Sequence, residues 1–188
     1  MKLVNALVLA LLLVAGCTGR LSSDAALDAT ANCNQTFANY NGQAANFSGC
    51  VLPYASFALV DLSKAVLNRT SIKEGNFSRS KLIQANVRNA TLINANFSNA
   101  DLEAADFAGS NLSGSMFVNA ILTGASFKGA DLSEANFWNA TLDGADFTGA
   151  NLRNAKYLFG ARLNGVIWSD TICPDGKNSD ENQSRSCV

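Results

Sequence analysis

Five cysteines, fifteen carboxylates and no histidine set the limits on what this chain can do chemically. Without histidine there is neither the usual general base near neutral pH nor the commonest nitrogen ligand for a metal. No glycine-rich phosphate loop and no nucleophile motif stands in the sequence. Cys33, Cys50, Cys173 and Cys187 have the donor chemistry for zinc as an alternative to disulfides, but they show no Cys-x-x-Cys spacing. Asp175, Asp180 and Glu181 have the chemistry for calcium, at a spacing unlike that of an EF-hand loop. Asp61, Asp101, Asp106, Asp131 and Asp146 each stand immediately before a large apolar residue, a recurrence that suits carboxylates bonding turn backbone better than an acid/base pair. No catalytic, cofactor-binding or metal residues are expected.

The elements that position these residues follow from a spacing of five. Every fifth residue from Phe47 through Leu52, Phe57 and Leu62 to Leu152 and Tyr157 is aliphatic or aromatic, twenty-three positions without interruption. Five steps of about 100° displace a helical residue by roughly 140°, and five steps of 180° put a strand residue on the opposite face. Neither geometry buries the whole series. From Ala85 to Ala155 the position two residues before each apolar one is small, as at Ala85, Ala90, Ala95, Ala100, Ala105, Ser110, Ser115 and Ala120. A repeat of this regularity predicts a solenoid whose units each turn one corner and stack on their neighbours.

Units such as Ala100-Asp101-Leu102-Glu103-Ala104 and Ala150-Asn151-Leu152-Arg153-Asn154 resemble the pentapeptide-repeat family over about residues 45–157, with a continuation slipped by one residue to Trp168. The resemblance implies an all-β fold, a right-handed quadrilateral β-helix with four pentapeptides per square coil. Its central Leu or Phe and the small residue two before it point inward. Folding the chain at twenty residues per coil then puts Phe57, Phe77, Phe97, Phe117, Phe137 and Tyr157 on one face, and Phe47, Leu67, Val87, Phe107, Phe127 and Phe147 on the opposite one. About six coils at roughly 4.8 Å give a rod on the order of 25–30 Å long. The expected segments are a signal peptide at 1–16, a polar tether at 17–31, an N-terminal cap at 32–46, the β-helix at 47–168 and a C-terminal cap loop at 169–188.

At the N-terminus, Lys2 precedes an apolar run over 3–15, shorter than the roughly 20 residues a transmembrane helix needs. Val14-Ala15-Gly16-Cys17 is similar to the bacterial lipobox, which implies cleavage before Cys17 and lipid attachment to its thiol; ordinary signal cleavage near the same place is the alternative. Either route predicts export, to the bacterial cell envelope as a membrane-anchored protein or to the periplasm or medium. The remaining cysteines form two local pairs flanking the repeat, so an oxidising compartment would allow Cys33–Cys50 and Cys173–Cys187 to close loops over the ends of the rod. Each loop of about fifteen residues would contribute roughly 3 kcal/mol.

Some relatives mimic duplex DNA with an acidic surface, and this chain departs from them. Its net charge is −1. Six cations stand against two acids in residues 45–94, and seven acids against three cations in residues 95–157. Such a bipolar rod points to no nucleic-acid partner. Asn76-Phe77-Ser78 and Asn96-Phe97-Ser98 match a glycosylation sequon, but both follow from the repeat itself. At twenty-residue spacing, Val118, Trp138 and Leu158 are expected to form one exposed apolar column with Met116 beside it, a contact surface for a protein partner, a glycan or a second copy of the chain. Asn99, Asn119 and Asn139 flank it and suit an amide ladder. The function that emerges is a non-enzymatic structural or binding module of the envelope; a secreted effector and a carbohydrate-active β-helix enzyme are the other classes, the latter disfavoured by the lack of inserted loops.

Overall fold

The computed structural model describes residues 45–181 and 186–188. The chain winds in square coils. Parallel bridges join Asn46 to Val66, Val51 to Ser71, Ser56 to Asn76 and Asp61 to Lys81, and the twenty-residue register continues without a break to Asn136 and Lys156. One column runs through Asn46, Val66, Asn86, Asp106, Ser126, Asp146 and Ile167, which spans six coil steps. With family membership established below, this is the right-handed quadrilateral β-helix.

Each pentapeptide satisfies its backbone in the same way. The Phe57 N–H donates to the Asn76 carbonyl at 2.7 Å and the Leu59 N–H to that of Ser78 at 3.1 Å, both on the next coil. The Asn76 N–H returns to the Ala55 carbonyl at 2.9 Å, and the Val60 N–H closes the corner onto the Phe57 carbonyl at 3.1 Å. Short strands therefore suffice, because the ladder and the turn together pair four of the five N–H groups of a unit, and in units such as 75–79 the Asn76 side chain accepts the fifth. The second residue after each central apolar one has a positive φ, as at Arg69 (57°) and Gly129 (62°), the signature of position i+2 in a type II turn.

The inward side chains stack like on like. Ring centroids along Phe57, Phe77, Phe97, Phe117 and Phe137 lie 5.0, 4.8, 5.2 and 5.2 Å apart. Phe107, Phe127 and Phe147 form the opposite column, and Trp168 extends it at 5.2 Å from Phe147. The two columns meet edge to face through the centre of the rod, at 5.8 Å for Phe97 and Phe107 and 79° between planes. Offset stacking along a column and T-shaped contact across it both suit the aromatic quadrupole. The inward position beside each corner is taken mostly by Ala or Ser, with Cys50, Val60 and Thr70 the larger occupants in the early coils. Where Ser replaces Ala, the hydroxyl bonds a main-chain carbonyl: Ser110 Oγ to Val87 at 2.6 Å and Ser115 Oγ to Leu92 at 2.9 Å. Gly75 is the extreme case, since an added Cβ would stand 2.5 Å from Ile72 Cγ2.

The slip expected between Tyr157 and Leu163 lies at residues 157–161. Beyond it, bridges join Thr141 to Arg162, Asp146 to Ile167 and Asn151 to Ile172, one residue longer than a coil. One expectation is corrected here. Tyr157 does not continue the Phe57 column; it takes a left-handed backbone (φ 64°), and a 3-10 turn over Leu158–Gly160 absorbs the extra residue. Leu158 goes inward in its place. The end is closed by the chain itself: Ile172 pairs antiparallel with Asn178, Thr171 Oγ1 donates to the Phe147 carbonyl at 2.8 Å, and Ser179 Oγ bonds the Trp168 carbonyl. Cys173 and Cys187 are joined, with sulfurs 2.06 Å apart. Cys50 is buried and disulfide-bonded. The signal peptide, the tether, Cys17 and Cys33 lie outside the described residues.

Candidate functional site

The carboxylates before the central residues are turn groups. Asp61 Oδ1 accepts the Ser63 N–H at 3.0 Å, Asp106 that of Ala108 at 3.0 Å, Asp131 that of Ser133 at 3.0 Å and Asp146 that of Thr148 at 2.9 Å. Asp101 reaches Glu103 at 3.3 Å. Asn76, Asn96, Asn111, Asn136 and Asn151 make the same bond two residues ahead. The side chain thus mimics a backbone turn on the outer wall of the coil. The Ser63 hydroxyl and amide, helped by Lys81, hold the Asp61 carboxyl below the usual carboxylate range. For Asp146, burial opposes ionisation, but the Thr148 hydroxyl and amide and the Lys128 ammonium outweigh it and its pKa is also lowered. Both shifts keep the groups charged, which suits a structural anion and not an acid catalyst.

Asn86 breaks the pattern. The Arg88 N–H that it would accept donates instead to Asn68 Oδ1 on the preceding coil at 3.2 Å, and Asn86 Oδ1 is left buried without a partner. Near this point a shallow polar depression of about 440 Å³ is lined by Ser48, Gly49, Asn68, Arg69, Arg88 and Asn89. Arg88 is already committed, its Nε lying 3.2 Å from Asp106 Oδ2. Asp175 is likewise occupied at the other end, with Oδ1 accepting the Lys177 N–H at 3.0 Å. Among the described residues no group of three or more cysteine or carboxylate side chains is placed to hold a metal ion.

The apolar stripe forms, with one member exchanged. Met116 is exposed, Val118 half-buried and Trp138 54% exposed. Leu158, expected outside, is only 3% exposed. Tyr157 stands in its place, edge-on to Trp138 with centroids 5.2 Å apart and planes at 89°. Phe159, which sequence reasoning did not single out, projects from the 3-10 turn at 89% exposure. The signal for it was the run Tyr157-Leu158-Phe159, in which three large apolar residues compete for one inward place. Asn119 Nδ2 donates to Asn99 Oδ1 at 3.3 Å and Asn139 Nδ2 to Asn119 Oδ1 at 2.8 Å, so the amide ladder runs along the same face. An aromatic pair beside a ladder of fixed amides offers apolar contact and hydrogen bonds, with no group poised for bond breaking.

A family described as pentapeptide repeats matches the chain in eight copies, over residues 43–79, 76–107, 95–133 and 120–156. That span is more than half of the sequence, and the protein belongs to the pentapeptide-repeat family. Similar solved structures include HetL, a pentapeptide-repeat protein involved in heterocyst differentiation regulation from the cyanobacterium Nostoc. It is 24% identical over 78% of this chain and 97% of its own, with a TM-score of 0.45. A pentapeptide-repeat protein of the Arabidopsis thaliana thylakoid lumen is 26% identical over 59% of this chain and 70% of its own, TM-score 0.32. Full-length QnrB1, a plasmid-mediated fluoroquinolone resistance protein, is 21% identical over 66% of this chain and 78% of its own, TM-score 0.42. At these TM-scores the likenesses carry no assignment of function, and membership rests on the match to residues 43–156. No curated protein matches the chain.

Proposed function

We propose that the chain is a non-enzymatic binding module, exported and held in the bacterial envelope by lipid on Cys17, which works by presenting one face of a rigid rod to a protein partner. The observation that carries the binding reading is the exposed aromatic group Trp138, Tyr157 and Phe159 at one end of a scaffold whose central phenylalanines, among the described residues, are stacked inside. Contiguous exposed aromatics of this kind mark contact surfaces, because they supply apolar area at little conformational cost. The envelope reading rests on the apolar run over 3–15 and the sequence Val14-Ala15-Gly16-Cys17. Disulfides at both ends of the rod fit an oxidising compartment. Labelled palmitate tests the anchor: the wild type takes up label and Cys17→Ser does not. Label in neither protein, with soluble protein outside the cytoplasm, would replace the anchored form by a secreted one. Trp138→Ala, which alters no inward position, is expected to abolish retention of the partner.

A further inference from the structure

The face outside the Phe57 to Phe137 column is patterned from end to end in a way that a reversed copy of itself complements. Leu59, Arg79, Asn99 and Asn119 occupy one outward column at twenty-residue spacing. Trp138 and Phe159 flank the continuation of that column toward the C-terminal end. Leu59 is 74% exposed at one end and Phe159 is the exposed apolar group at the other. Arg79 forms no ion pair among the described residues. In the amide ladder each bond points the same way, which leaves an N–H of Asn99 and the Oδ1 of Asn139 open at the two ends.

We propose that this face pairs with the same face of a second copy, the two rods running antiparallel about a two-fold axis between Asn99 and Asn119. The proposal names the partner of the contact surface and rests on that reading. Reversal about this axis sets Leu59 against Phe159 of the copy, Arg79 against Trp138 and Asn139, and Asn99 against Asn119. Because the interface is isologous, each of these contacts occurs twice. A guanidinium over an indole face gains from the ring quadrupole, and its N–H groups meet the open Asn139 oxygen. The charged residues of this face are Arg79 and Lys156, and the reversal sets neither against a like charge. A parallel pair would stack Trp138 on Trp138 and leave both Arg79 side chains facing each other.

Sedimentation velocity on the full chain, purified from membranes in a mild detergent, reads the association, with wild type, Trp138→Ala and Arg79→Glu compared at low and high salt. Both substitutions are on exposed positions, and unchanged circular dichroism checks the fold. A wild-type dimer is expected, weakened roughly a hundred- to a thousand-fold by either change, because a desolvated cation–π contact is lost twice. Mixing a chain carrying Leu59→Cys with one carrying Phe159→Cys is expected to give a product with a short bismaleimide, while Leu59→Cys alone gives none. A wild type that stays monomeric, a dimer indifferent to both substitutions, or cross-linking of Leu59→Cys to itself would overturn the proposal. If the wild type is monomeric and Trp138→Ala still abolishes retention of a different membrane protein, self-pairing falls and the contact surface stands. Should Trp138→Ala change neither property, both fall.

Discussion

Between residues 49 and 84 the left-handed corners are occupied by Gly49, Tyr54, Leu59, Lys64, Arg69, Glu74, Arg79 and Gln84, whereas between 89 and 154 twelve of fourteen are Gly or Asn. The backbone does the same thing in both regions. Residues other than Gly and Asn adopt this conformation at a cost of about 1–2 kcal/mol each, so the early coils carry a strain that the later ones avoid. What the two regions share is the inward pattern, with Phe57, Leu67 and Phe77 as fully buried as Phe97, Leu112 and Phe127. Burial of the central side chain, worth about 1.5–3 kcal/mol, outweighs an unsuitable corner residue. Corner chemistry is therefore free to serve the surface, and in the early coils it places Lys64, Arg69 and Arg79 where long cationic side chains project furthest from the wall.

The comparison can be tested from its inward side first. Gly75→Ala is expected to destabilise the early coils by about 1–3 kcal/mol through the clash with Ile72 Cγ2. The double variant Ile72→Leu with Gly75→Ala, which moves the branch away from Cβ, should recover most of that loss in urea unfolding. No recovery would place the clash on the Phe77 ring and the Ile72 carbonyl, which the added Cβ would meet at 3.1 and 3.2 Å. Next in size is an exchange of corner residues. Glu74→Gly is expected to stabilise by roughly 0.5–1 kcal/mol, after allowing for the greater freedom of glycine in the unfolded chain, and Gly129→Glu to destabilise by about 1–2 kcal/mol. Equal and opposite null effects would show that the ladder, and not the corner residue, sets the turn energy.

The smallest effect concerns the later coils. Lys128 Nζ lies 3.0 Å from Asp146 Oδ2, and Asp146→Asn keeps the turn acceptor while removing the charge. A loss of about 0.5 kcal/mol at pH 7 is expected, as for a partly exposed ion pair. The folded-state pKa of Asp146 lies below its unfolded value of about 3.9. Its contribution is thus complete above that value and disappears as pH falls through the lowered folded pKa. The stability difference between wild type and Asp146→Asn should accordingly narrow on acidification below about pH 4 and stay constant from pH 5 to 8.

Much of this architecture is legible in the sequence because a period of five with one bulky member per unit fits neither a helix nor a flat strand and points to a solenoid. With the twenty-residue coil and the turn role of the aspartates supplied by the family resemblance, spacing placed the alternating aromatic and aliphatic columns, the amide ladder of Asn99, Asn119 and Asn139, and Cys173 near Cys187. Two things could not be read in this way. Tyr157 satisfies the period of five as well as Leu158 satisfies the shifted one, and only the closure of the last coil decides that the leucine goes inward. The positive φ of the corners was signalled by Gly and Asn in the later coils alone; in the early coils Tyr54, Leu59 and Arg69 conceal it. The exposed apolar stripe was legible in Met116, Val118 and Trp138, while Tyr157 and Phe159 became exposed through the slip.

Every bridge along the rod from Asn46 to Lys156 links residues twenty apart, about a tenth of the 188-residue chain. Folding rate in small domains falls as partners become more distant along the sequence. A coil of this kind can therefore grow as a zipper, each new turn closing a loop of the same modest size onto the one before, although every pairing is between parallel strands. Among the described residues the irregular stretch at 157–161 is the one place where that loop changes length, and an advancing front would pause there. Opening from the C-terminal side would meet the same point in reverse, so the three sides of a coil after it, at Arg162, Ile167 and Ile172, are expected to exchange their amide protons as one group, separately from the coils before it.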